Sequence, residues 1–169
     1  LAVTDGQGNL FAITIESEPK PHLQAIATIR LSESIVAPLA AAGNMVFAVD
    51  EASYVSAYEL PNLDSRGQHS FEGSCVWGPE RVGDHVLLAT EAGQLLCFDA
   101  AARLCWRVAL PNTPLAGATV LDDGHLLLAT AGGTLWRIDA GDGHELGRTE
   151  LSRPLGTAPV PVGQEVLVG

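Results

Sequence analysis

The sequence repeats itself. From Asp123 to Arg148 it reads DGHLLLATAGGTLWRIDAGDGHELGR: a short apolar run, a Gly-Gly turn, a second run rich in β-formers, and a Gly-Asp-Gly break. Related text stands earlier as GDHVLLATEAGQLLCFDA (Gly83 to Ala100) and GNMVFAVDEASYVSAYEL (Gly43 to Leu60), and begins again as GQEVLVG from Gly163. Gly43, Gly83, Asp123 and Gly163 mark a step of 40 residues. A unit of this size, built from short strands, cannot bury its apolar face alone and must stack on its neighbours. Each strand has its own turn, so the unit is a meander. That predicts an all-β chain, a β-propeller of about four blades forming a single region over residues 1–169.

The columns of the repeat assign roles. Met45, His85, His125 and Glu165 fall together, and Asp50, Thr90 and Thr130 close the first strand of each unit, with Thr4 placed beside them. Tyr58, Phe98 and Ile138 sit late in the second strand, each followed by an acid: Glu59, Asp99 and Asp139. Leu87, Leu95, Phe98, Leu127, Leu135 and Ile138 are the expected core. Gly93 and Gly133 close hairpin turns that call for a positive φ. The first unit carries a polar insertion, Glu16 to His22, before an outer strand at Gln24 to Leu31, and its turn is read as one residue wider than the rest. In the second unit LPNLDSRGQHSF, Leu60 to Phe71, reads as a long loop. Gly or Pro interrupts most windows of the chain, and no helix is expected.

These residues resemble the pyrroloquinoline-quinone-type propeller repeat. VAPLAAAGNMVFAVD (Val36 to Asp50) is similar to its first half and GGTLWRIDAGDGHELGR (Gly132 to Arg148) to its second. Trp106 stands where that family's docking tryptophan would be, whereas the last unit has Gly147 at the aligned position. The resemblance covers nearly the whole chain. It implies a propeller, and it implies little about function, because the repeat serves dehydrogenases, outer-membrane assembly lipoproteins and fused bacterial sensor domains alike. Quinone enzymes of the family would need adjacent cysteines, stacking aromatics and calcium carboxylates. This chain has no Cys-Cys pair, and its three tryptophans fall in structural columns. The expected function is therefore a non-catalytic platform for protein or ligand within a larger protein, without a cofactor. The alternative is part of a quinone-dependent dehydrogenase.

Phase adds a further expectation. Leu1, Ala2 and Val3 align with Leu167, Val168 and Gly169, so the chain starts and stops at one point of the repeat, inside a strand. An array with two uncapped ends exposes an apolar blade face at each. We expect an open arc of a seven- or eight-bladed ring, completed by further blades of the same protein or by a second copy. A closed four-bladed ring is the alternative.

Composition narrows the partners. With a net charge of −11 and nine scattered Lys and Arg, the chain lacks the cationic face that nucleic acid or an anionic membrane surface requires. Its apolar runs are too short to span a bilayer, and it shows no leader segment. The expected partner is protein. Asp5, Glu51 and Glu91, read as one turn position in successive blades, form a candidate partner-binding cluster at one mouth. No catalytic residue is expected, since no G-x-S-x-G elbow occurs. Cys75, Cys97 and Cys105 make an odd count without C-x-x-C spacing. Cys97 and Cys105 flank one hairpin about one residue out of register, and all three read as buried free thiols, with a lean toward a reducing compartment. His85 and His125 begin equivalent strands, His22, His69 and His144 lie in turns and loops, and no metal site is expected.

Overall fold

Each repeat folds as an antiparallel meander. The computed structural model describes residues 1–5, 7–110, 115–163 and 165–169. Three sheets are complete: β4 (Ala40–Ala42), β5 (Met45–Val49), β6 (Tyr54–Glu59) and β7 (Asp64–Ser70); β8 (Cys75–Val82), β9 (His85–Thr90), β10 (Gln94–Phe98) and β11 (Leu104–Ala109); and β12 (Leu115–Val120), β13 (His125–Thr130), β14 (Thr134–Asp139) and β15 (Glu145–Glu150). A three-stranded sheet precedes them, β1 (Ala2–Thr4), β2 (Asn9–Glu16) and β3 (His22–Arg30), and a hairpin follows, β16 (Val160–Val162) and β17 (Glu165–Leu167). No helix occurs among the described residues.

The sheets stack face to face, with β4, β8 and β12 neighbouring one another along the inner side. The middle strands are apolar on both sides because each is covered by two sheets. VLLA of β9 alternates its contacts: Val86 and Leu88 pack with Phe47, Val49 and Phe98 toward the preceding blade, while Leu87 and Ala89 pack with Leu126, Leu128 and Trp136 toward the following one. The outer strands are less buried, and β7 and β15 are polar in sequence. β7, β11 and β15 face water with at least one side, and the polarity of β7 is why that segment reads as a loop in sequence. It is a strand over Asp64–Ser70, its backbone paired to β6. The insertion in the first unit lengthens a hairpin: β2 runs to Glu16 and β3 starts at His22.

The core columns hold, with one exception. Leu87, Leu95, Phe98 and Ile138 are fully buried and Leu127 nearly so, but Leu135 is half-buried. Leu127 and Leu135 share the face turned toward β16 and β17, and a two-stranded hairpin covers that face incompletely. Leu127→Ala should therefore cost about 2–3 kcal/mol, the lower part of the range for a buried leucine. Urea unfolding checks this, and a loss under about 0.5 kcal/mol would show that the column contributes no core.

The hairpin turns behave as their glycines demand. Gly93 and Gly133 have φ of 73° and 93°. Gly8 and Ser53 carry the same positive φ in the earlier sheets, at 79° and 63°. Pairing of Thr4 with Leu10 matches that of Val49 with Val55 and Ala89 with Leu95. The first turn is therefore no wider than the others, and the column is Asp5, Asp50, Thr90 and Thr130 rather than one with Thr4. A slip of one residue in a short turn is invisible to a pattern whose strands are only three residues long on one side.

The two ends of the stack are bare. β1 pairs with β2 and β17 with β16, in separate sheets, so the two ends do not complete one shared blade. Leu1 and Val3 at one end, and Val162 and Leu167 at the other, are exposed.

Candidate functional site

The loops at one end of the blades are bonded into a continuous surface. Glu51 N–H donates to the Ser34 carbonyl at 3.0 Å, Ser53 Oγ to the Gly73 carbonyl at 2.7 Å, Glu91 N–H to the Ser74 carbonyl at 2.8 Å and Ser74 Oγ to the Glu91 carboxylate at 2.6 Å. Leu31 N–H donates to the Gly8 carbonyl at 2.8 Å, which joins the first turn to the same surface. These loops carry Asp5, Glu33, Asp50, Glu51, Glu72 and Glu91. Among the described residues, none of the six takes part in an ion pair.

Within that surface the candidate acids divide by role. Asp5 and Asp50 are turn locks: each carboxylate accepts the N–H groups two and four residues ahead, at 2.9–3.0 Å. Asn9 also donates its side-chain amide to Asp5, and this bond leads in holding the Asp5 carboxyl below its usual range. Glu51 and Glu91 stand one position later and are exposed. The three acids Asp5, Glu51 and Glu91 thus lie on one surface but not in one column.

The opposite end of the blades differs. Three of its carboxylates come with arginine partners: Glu59 with Arg66, Asp99 with Arg103 and Asp123 with Arg137. Asp99 and Asp139 also accept turn amides, Ala101 and Arg103 N–H on Asp99 and Gly141 N–H on Asp139, as expected for acids that end a strand. Glu59 does not cap its turn, because its longer side chain reaches across to Asn44 and Arg66 instead.

The two column histidines do not converge. Arg137 donates to Nδ1 of His125 within its own blade, at 2.9–3.2 Å. The ring of His85 lies with Cys97 and Cys105, one ligand atom of each within 4.8 Å of the others. The sequence hid this grouping because Cys97 and Cys105 count out of register. A β-bulge between Cys97 and Phe98 absorbs the extra residue: Cys97 faces Trp106 and Phe98 faces Leu104, with Cys105 the residue between. Cys97 is buried, Cys105 exposed and Cys75 half-buried, so burial of all three does not hold. Burial, then the neighbouring Cys105, pushes the Cys97 thiol up to about 12. Cys75 sits apart, its thiol directed at the carbonyls of Trp77 and Gly78.

Comparison with known proteins places this geometry. A family profile described as outer membrane protein assembly factor BamB matches residues 64–169. The crystal structure of BamB from Moraxella catarrhalis superposes with a TM-score of 0.77 at 15% identity, over 99% of this chain and 51% of that one. BBS1N, crystallised in complex with ARL6DN, gives a TM-score of 0.71 at 14% identity, over 99% and 52%. The computationally designed Ika4 protein gives 0.68 at 13%, over 86% and 91%. No curated protein matches the sequence. The chain spans about half the length of the BamB and BBS1N chains.

Proposed function

The chain belongs to the BamB family of pyrroloquinoline-quinone-like propellers, and from that premise we propose that it is a non-catalytic propeller that binds a basic protein segment through its acidic loop face, within a larger protein whose further blades or second copy cover the two bare ends. One observation carries the choice of surface. Among the described residues, three carboxylates at the opposite end, Glu59, Asp99 and Asp123, are already paired with arginine, whereas none of the six on the bonded loop surface is. An unpaired acidic surface on a chain of net charge −11 attracts a cationic partner over a Debye length and keeps its own register by repelling acidic ones. The loops are held by backbone hydrogen bonds, so little ordering would be lost on binding. That BBS1N was crystallised with a protein partner agrees with such a use of the fold.

The test compares two charge reversals. Glu51→Lys, Glu72→Lys and Glu91→Lys combined should weaken binding of a Lys-rich peptide, followed by fluorescence anisotropy, at least about tenfold, or about 1.4 kcal/mol. Glu18→Lys, Asp84→Lys and Asp122→Lys combined, at the opposite end, should change it less than about twofold, although the net charge changes equally. Equal losses would reject the loop face as the binding surface. Saturable heat on titration with pyrroloquinoline quinone and calcium would reject the non-catalytic reading.

A further inference from the structure

We propose that His85, Cys97 and Cys105 form a binding site for a zinc-class divalent cation, set within the third sheet and distinct from the acidic loop face. The residues come from three adjacent strands, β9, β10 and β11, and the bulge brings the third to the other two. Their ligand atoms lie within 4.8 Å of one another. A tetrahedral ion with bonds of about 2.0–2.3 Å to nitrogen and sulfur asks for ligand separations of about 3.5–3.8 Å. Rotation of the exposed Cys105 and half-buried His85 side chains would have to close the remaining gap.

The fold, rather than chance proximity, makes these positions converge. The same bulge recurs between β2 and β3, β6 and β7, and β14 and β15. In the fourth sheet the matching positions hold His125, Arg137 and Leu146, and there the first two side chains touch. In the second sheet they hold Met45, Ala57 and Arg66. The third sheet alone among these fills all three with ligand types. Two thiolates and an imidazole form a borderline-soft set that suits zinc rather than calcium or magnesium, and leave a fourth position to water beside exposed Cys105. A bound cation would draw off both thiol protons, reversing the upward push that burial gives Cys97. Its effect would be to clamp the outer strand β11, and with it Trp106, to the two strands inside it.

The experiment uses the purified, reduced and chelator-stripped protein. Zinc titrated against a chromophoric chelator should bind one ion per chain and raise the melting temperature. Cobalt in its place should show a thiolate-to-metal charge-transfer band. Cys105→Ser and His85→Gln, at positions that are not fully buried, should keep the fold by circular dichroism yet weaken zinc binding more than about 100-fold. Cys75→Ser should bind as the parent does. Unchanged affinity in the two ligand variants, a cobalt complex without the charge-transfer band, or a reduced protein that takes up no zinc while Cys97 and Cys105 oxidise to a disulfide in air would each overturn the assignment.

Discussion

Phe98→Ala should lower the free energy of unfolding by about 3–5 kcal/mol, the range for emptying a buried aromatic site. Phe98 has no exposed surface. Its ring lies between the second and third blades, in one cluster with Phe47, Val49, Val55 and Leu88, and its centroid is 5.5 Å from that of His69. The lining comes from two sheets held by their own ladders, so neither can shift far to fill the void, and the cavity term adds to the lost transfer energy. Urea unfolding should show a lower midpoint at constant slope. A loss under about 1 kcal/mol would mean that the blades slide together on truncation and that their interface is soft.

Gly67→Val should be comparably damaging, at about 3 kcal/mol, for the opposite reason. A Cβ on Gly67 would lie 1.9 Å from the carbonyl oxygen of Ala101, in the turn that joins β10 to β11 of the next blade. The obstacle is backbone held by Asp99, which accepts the N–H groups of both Ala101 and Arg103, so it cannot rotate away. The column-mate of Gly67 one blade later is Trp106, opposite Cys97 as Gly67 is opposite Ala57. Trp106 donates its indole N–H to the carbonyl of Ala140 at 3.2 Å, and its ring packs against Gly143 in the next blade's turn. One docking position is therefore filled in two ways, by an indole between the third and fourth blades and by direct backbone approach between the second and third. Gly67→Trp, which restores the repeat's own docking residue, should not rescue stability. A Gly67→Val protein as stable as the parent would show that the second and third blades can part without cost.

The repeat was legible because alternation and turn chemistry are local. HLLLAT, a Gly turn and TLWRID suffice to set two strands, their shared face and a positive φ at Gly133, whatever lies beyond them. The apolar run on both sides of β9 and β13 also told that each is sandwiched. Asp99 and Asp139 could be assigned to turn amides because their partners are two to four residues away.

What sequence alone determined, then, is the plan of the blade: its inner strands, the glycines that turn them, and most of the buried columns, though not the polar outer strand β7. Tertiary structure decided everything that depends on a neighbour some 40 residues off or on a shift of one residue. Leu135 and Leu127 hold equivalent apolar columns, yet their cover depends on how many strands lie opposite. Asp5 joins the column of Asp50 only once the pairing of Thr4 with Leu10 is known. Cys97 and Cys105 look out of register until a bulge supplies the missing residue, and His85 reaches them across a strand rather than along the chain. Which acids remain unpaired was equally hidden, since an arginine's partner is set by the direction its strand gives it. The physical reason is common to all of these. Local pattern fixes the side of a strand a residue occupies, while the stacking of sheets and the single-residue slip of a bulge fix what stands across from it.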